Sequence, residues 1–143
     1  MELSRIFWDT NLVIYLIEGS GELAARTKAI LARMSERRDT LVTSTLTLGE
    51  ALTKPMADRD TKTIDRYERF LISPGIQLVE FDQHAARIYA TLRGDKTIRP
   101  ADAVQLSCAA TARVNMFITN DDRLSKKLVP GVDFVVPLAR AFL

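Results

Sequence analysis

Short apolar runs alternate with longer stretches of helical periodicity along this chain, and that alternation restricts its fold more than any other feature. The runs are residues 5–8, 40–43, 76–80, 115–119 and 134–136, rich in β-branched and aromatic side chains. Each is too short for a stable helix and reads as a strand. Between them, apolar residues recur at helical spacing over residues 12–18, 23–34, 46–54, 58–71, 82–92 and 100–113. A short basic helix is expected at 124–127. Leu23, Thr27, Ile30, Leu31 and Met34 define one inward stripe, and Ile64, Tyr67, Phe70 and Leu71 another. Pro55 is expected to stop the third helix, Asp82 to cap the fifth, and Pro100 to open the sixth at its first position. Strands separated by helices require crossover connections, so the expected architecture is α/β. Its central, mostly parallel sheet would be flanked by helices in three layers, with right-handed crossovers.

With 143 residues the chain suits one domain, residues 1–143, with no repeat or linker. Its 47% hydrophobic and 27% charged content is that of a globular protein, and a net charge of +2 gives little general attraction for polyanions. The single cysteine, Cys108, excludes an intrachain disulfide and a cysteine-rich metal site, and is expected to be a buried thiol. No apolar run approaches the ~20 residues of a membrane span, and no signal-peptide pattern opens the chain. The expected location is the cytoplasm.

Four acidic residues share one context. Asp9 and Asp121 follow strands, Glu50 lies about a turn into the helix after the second strand, and Asp102 sits in the first turn behind Pro100. In an α/β sheet all four can project from the carboxyl edge, where ligand crevices form. Crowded carboxylates repel unless a cation neutralises them. An all-oxygen donor set suits Mg²⁺ or Mn²⁺ and disfavours zinc. Each residue also has a local explanation. Asp9 suits an N-cap, as does Asp121 or Asp122; Thr47 and Glu50 fit a capping box; Asp102 complements a helix dipole. These explanations account for helix starts, and both sets of roles are compatible.

The run Ile6-Phe7-Trp8-Asp9-Thr10-Asn11 resembles the opening motif of PIN-domain ribonucleases. The segment at 43–55 resembles that family's second acidic motif, with Glu50. Pro100-Ala101-Asp102-Ala103-Val104-Gln105-Leu106 resembles the third, and Phe117-Ile118-Thr119-Asn120-Asp121 the fourth. Four motifs in order and at the right spacing cover nearly the whole chain. Its short form is most similar to the toxin ribonucleases of VapBC toxin–antitoxin modules. The resemblance implies a PIN-like fold and an endoribonuclease that holds one or two Mg²⁺ or Mn²⁺ ions on Asp9, Glu50, Asp102 and Asp121. Asn11 and Thr119 would support the site, and Asp122 is the neighbour that could exchange roles with Asp121. It further implies products with 5′-phosphate and 3′-hydroxyl ends, a small antitoxin partner and a homodimer.

The lone histidine, His84, excludes a two-histidine ribonuclease mechanism within one chain and is expected to be structural. Among the basic residues, Lys54, Arg99 and Arg123 lie beside acidic motifs and are the candidates for guiding RNA phosphates. The helix at 12–17 is apolar almost all round, so it is either sandwiched in the core or offered to the antitoxin. A non-catalytic PIN-like module that binds RNA or protein is the alternative from another class, although all four carboxylates are present. A haloacid-dehalogenase-type phosphohydrolase would need an aspartate where Asn11 stands.

Overall fold

A computed structural model describes residues 4–141. Five strands are present: β1 (Arg5–Trp8), β2 (Thr40–Ser44), β3 (Ile76–Val79), β4 (Met116–Thr119) and β5 (Phe134–Pro137). Six α-helices connect them: α1 (Thr10–Glu18), α2 (Gly21–Arg37), α3 (Thr45–Ala57), α4 (Thr61–Leu71), α5 (Gln83–Leu92) and α6 (Pro100–Thr111). The strand order is β3-β2-β1-β4-β5 and every pairing is parallel. This is the expected α/β arrangement, a parallel central sheet flanked by helices. The chain first builds outward from β1 to β3. It then crosses back through α5 and α6 to lay β4 on the other side of β1. The order therefore reverses at β1, and that reversal opens a crevice at the carboxyl ends of β1, β2 and β4.

Strand side chains alternate between two cores, which is why the runs are continuously apolar. Ile6, Trp8, Leu41 and Ile118 pack with Leu12, Val13, Ile30, Met34, Tyr67 and Leu71 from α1, α2 and α4. Phe7, Val42 and Phe117 face the other way, onto α6, with Phe7 and Phe117 stacked at 4.9 Å. Helix α6 is buried on most sides through Ala103, Leu106, Cys108 and Ala109, so small side chains are needed to seat it against α5 and β2. Burial pushes the Cys108 thiol up to about 11, and the charge of Asp82 adds to the effect. No helix among the described residues is long and apolar enough to cross a membrane.

Several boundaries differ from the sequence-based expectations. Helix α3 passes through Pro55 and ends at Ala57. Proline in a last turn removes one N–H, here the one facing the Ala51 carbonyl, and the buried ring packs without ending the helix. Helix α4 starts at Thr61 rather than 58, because Arg59 takes a left-handed turn (φ 54°) and Asp60 caps the Thr63 N–H at 3.1 Å. The basic segment at 124–127 forms turns, not a helix: its bonds, such as Leu124 N–H to Asp121 O, span three residues. A segment this short cannot repay helix nucleation. Leu23 is 40% exposed, and Ala24 takes its place in the α2 stripe. The expected caps hold at Asp82, which accepts the Ala85 N–H at 2.9 Å, and at Pro100 in the first turn of α6.

Candidate active site at the carboxyl edge of the sheet

The strand register brings separate segments of the chain to one edge. Trp8 pairs with Ile118, and the Asp9 N–H continues the ladder by donating to the Ile118 carbonyl at 3.0 Å. Asp9 thus leaves β1 level with Thr119 at the end of β4. Its Oδ1 accepts the Thr10 N–H at 2.9 Å, so it does cap α1. Its Oδ2 accepts the Thr119 hydroxyl at 2.8 Å, and the Thr119 oxygen in turn accepts the Asp121 N–H at 3.1 Å. One threonine thereby connects the two strand-end aspartates.

Glu50 reaches the same edge from α3. The capping-box expectation for Thr47 and Glu50 is not met: Ser44 is the N-cap, with its Oγ accepting the Thr47 N–H at 3.3 Å. That places Glu50 deeper in the helix, where its Oε1 accepts the Thr10 hydroxyl at 2.6 Å. Asp102 stands in the first turn of α6 as expected. Asp121 is gripped by Arg123, whose Nε lies 2.9 Å from Oδ1 while the other guanidinium arm pairs with Oδ2.

The four carboxylates line one cavity of about 370 Å³, together with Asn11, Arg99 and Arg123. The cluster is electrostatically uncomfortable. Burial, first, holds the Asp9 carboxyl above its ordinary range; the Thr119 and Thr10 hydrogen bonds oppose this, and the charges of Asp102 and Glu50 reinforce it. Burial also raises Asp102, followed by the charge of Asp121, against the guanidiniums of Arg123 and Arg99. Asp121 moves the other way, held low chiefly by its hydrogen bonds from the Arg123 side chain. The two central acids therefore lack sufficient counter-charge, and the donors are oxygen only. That chemistry fits a hard divalent cation. Among the described residues no three acidic, imidazole or thiol groups form a ready-made ion cage. Asp121 is paired with Arg123, and Glu50 with Thr10.

The remaining sequence candidates fall outside this cavity. Lys54 is exposed on α3, one turn beyond Glu50, and Asp122 is exposed beside Asp121, so Asp121 is the member of that pair facing the acids. His84 is exposed and lines a different cavity of about 560 Å³ between α5 and the Pro130–Gly131 turn, next to Arg113 and Asp133 at the amino edge of the sheet. The sequence reading missed Thr10, Ser44, Thr47 and Gln105, which form a buried polar layer beneath the acids. Gln105 carried a usable signal: it is a lone amide in the apolar stretch from Ala103 to Ala110.

A family model described as "PIN domain" matches residues 6–128. No curated protein sequence matches the chain. Among solved structures, VapBC2 from Rickettsia felis, bound to a DNA fragment from its promoter, is similar at TM-score 0.74 and 16% identity, over 93% of this chain and 98% of that one. The sarcin–ricin loop cleaving toxin VapC20 from Mycobacterium tuberculosis is similar at TM-score 0.68 and 14% identity, over 86% and 96% of the two chains. A toxin–antitoxin complex from Klebsiella pneumoniae is similar at TM-score 0.65 and 21% identity, over 89% and 94%. Identities this low speak for a common fold.

Proposed function

Since the chain belongs to the PIN-domain family, we propose that it is a single-domain, Mg²⁺- or Mn²⁺-dependent endoribonuclease and the toxin of a toxin–antitoxin pair. One observation carries the reading. Four carboxylates from four separate segments line one cavity at the point where strand order reverses, and among the described residues the cations lining it are the guanidiniums of Arg99 and Arg123. A helix-capping role explains Asp9, but it does not explain Glu50, which caps nothing.

Asp9, Glu50, Asp102 and Asp121 are the residues that would hold the ion. A bound divalent cation supplies Lewis-acid stabilisation of phosphate charge and lowers the pKa of water. The protein's own contribution is orientation. Thr119 holds Asp9 and Thr10 holds Glu50, each by donating its hydroxyl hydrogen to the carboxylate. Arg99 and Arg123 stand at the cavity and would draw an RNA phosphate into an acidic pocket that otherwise repels it. Lys54 would serve further out along the same approach, while Asn11 lines the wall. A small antitoxin is the proposed partner, a second copy of the chain completes the proposed assembly, and the cytoplasm is the proposed location.

The Arg123–Asp121 pair favours one competing reading, a PIN module that binds RNA or protein without cutting it, because it neutralises a ligand internally. The test is direct. Partner-free protein should cleave RNA in Mn²⁺ or Mg²⁺ and stop when EDTA is added. Cleavage that persists in EDTA would remove the metal mechanism. RNA binding without cleavage in either ion would favour the non-catalytic module.

A further inference from the structure

Beneath the acidic cavity lies Gln105, 2% exposed, on α6 one turn beyond Asp102. Its amide touches every segment that brings an acid to the site except the β4 end. Oε1 accepts the Ser44 hydroxyl from the end of β2. Nε2 donates to the Thr47 hydroxyl of α3 at 2.7 Å and to the Thr10 hydroxyl of α1 at 3.0 Å. It also lies 3.5 Å from Asp9 Oδ1, at the limit of a hydrogen bond. The orientation of the amide follows from chemistry: Asp9 can only accept, so nitrogen must face it, and the oxygen is left for Ser44.

Proton counting then gives the amide a task. A threonine hydroxyl has one proton. The Thr10 proton goes to Glu50 at 2.6 Å, so the Thr10 oxygen must be satisfied by an incoming donor. Thr47 is 3.3 Å away and shares its own bonding with Thr43, leaving the Gln105 N–H as the better donor. A hydroxyl that receives a hydrogen bond also donates a stronger one. We infer that Gln105 is a positioning residue of the site: its amide fixes the Thr10 hydroxyl so that Glu50 is held at the wall of the acidic cavity. The inference rests on the nuclease reading above and deepens it.

The experiment uses partner-free, full-length protein and Mn²⁺ alone as the probe. Gln105→Leu removes both N–H donors and the acceptor. Calorimetry without RNA should show Mn²⁺ binding weakened by about tenfold, the range for loss of a group that orients a metal ligand. The Mn²⁺ concentration for half-maximal RNA cleavage should rise by the same factor, with kcat largely recovered at saturating Mn²⁺. Because the effect passes through Thr10, adding Gln105→Leu to Thr10→Val should weaken Mn²⁺ binding no more than about twofold further. If Gln105→Leu loses the wild-type circular dichroism spectrum, Gln105→Met, unbranched and of equal reach, carries the measurements. A variant that melts lower yet binds Mn²⁺ as the wild type does would overturn the inference, as would additivity with Thr10→Val. Wild-type protein that neither binds Mn²⁺ nor cuts RNA would remove the nuclease reading and this inference with it. Wild-type protein that does both beside an unaltered Gln105 variant would remove this inference alone.

Discussion

Replacing Asp102 by Asn sets two opposed effects against each other at one residue. In the first turn of α6 its charge favours the helix dipole, a contribution of roughly 0.3–1 kcal/mol. Burial and the charge of Asp121 work against the ionised form and hold its carboxyl above the ordinary range. The crowding should win, so metal-free Asp102→Asn protein should melt at or above the wild-type temperature. The increment in melting temperature caused by Mn²⁺ should shrink, and RNA cleavage should fall by orders of magnitude. A variant that melts lower without metal and cleaves normally would make Asp102 a structural residue. Asp9, Asp102 and Asp121 were legible in the sequence because each adjoins a strand end or a helix start, and Glu50 because it stands about a turn into the helix after the second strand. Gln105 and Thr10 were not, since their roles depend on hydroxyl, amide and carboxylate partners 37 to 96 residues away.

At the scale of the element, helix α1 answers two demands. Leu12 and Val13 are fully buried, whereas Ile14, Tyr15, Leu16 and Ile17 are only partly covered by the core they pack against. Ile14 also reaches the acidic cavity. The expectation of a core helix therefore holds for the face of Leu12, Val13 and Leu16, and the opposite face, with the half-buried Ile14 and Tyr15, is the one a partner could cover. Ile14→Asp should keep the circular dichroism spectrum while losing co-purification with the proposed antitoxin. Unchanged co-purification would place the partner elsewhere, and loss of the fold would assign the whole helix to the core. The ends of α3 and α4 show why boundaries read less well than elements. Ser44 outcompetes Thr47 as a cap because β2 runs directly into α3, and α4 starts at Thr61 rather than 58 because a left-handed Arg59 precedes its cap Asp60.

At the scale of the whole molecule, one carboxylate ties two loops that are distant in sequence. Asp95 accepts the Thr97 N–H and hydroxyl at 2.9 and 2.6 Å, and its Oδ2 pairs with Lys127 at 2.9 Å. This joins the α5–α6 loop to the turns that follow Asp121. The Thr97 hydroxyl, then Lys127, hold the Asp95 carboxyl well below its ordinary value of 3.8. A depressed carboxyl contributes stability above its unfolded pKa and loses it as pH falls through the folded value. Asp95→Asn should therefore lower the urea midpoint at neutral pH, and its gap from wild type should narrow steadily as pH falls below 3.8. A gap that is constant with pH would show that the carboxylate charge is not the cause.

The sequence by itself determined the alternation of five strands with six long helices, the parallel sheet and the four acidic positions, because periodicity and turn chemistry are local properties. Tertiary structure alone decided that α6 crosses back over β1. That crossing sets the order β3-β2-β1-β4-β5 and brings Asp102 and Gln105 over the ends of β1 and β2. It also decided that Asp121 faces Arg123 and that residues 124–127 turn instead of coiling. The physical reason is range. A side chain reads its own turn from sequence neighbours, but hydrogen-bond partners and like charges are assigned only when packing brings remote segments together.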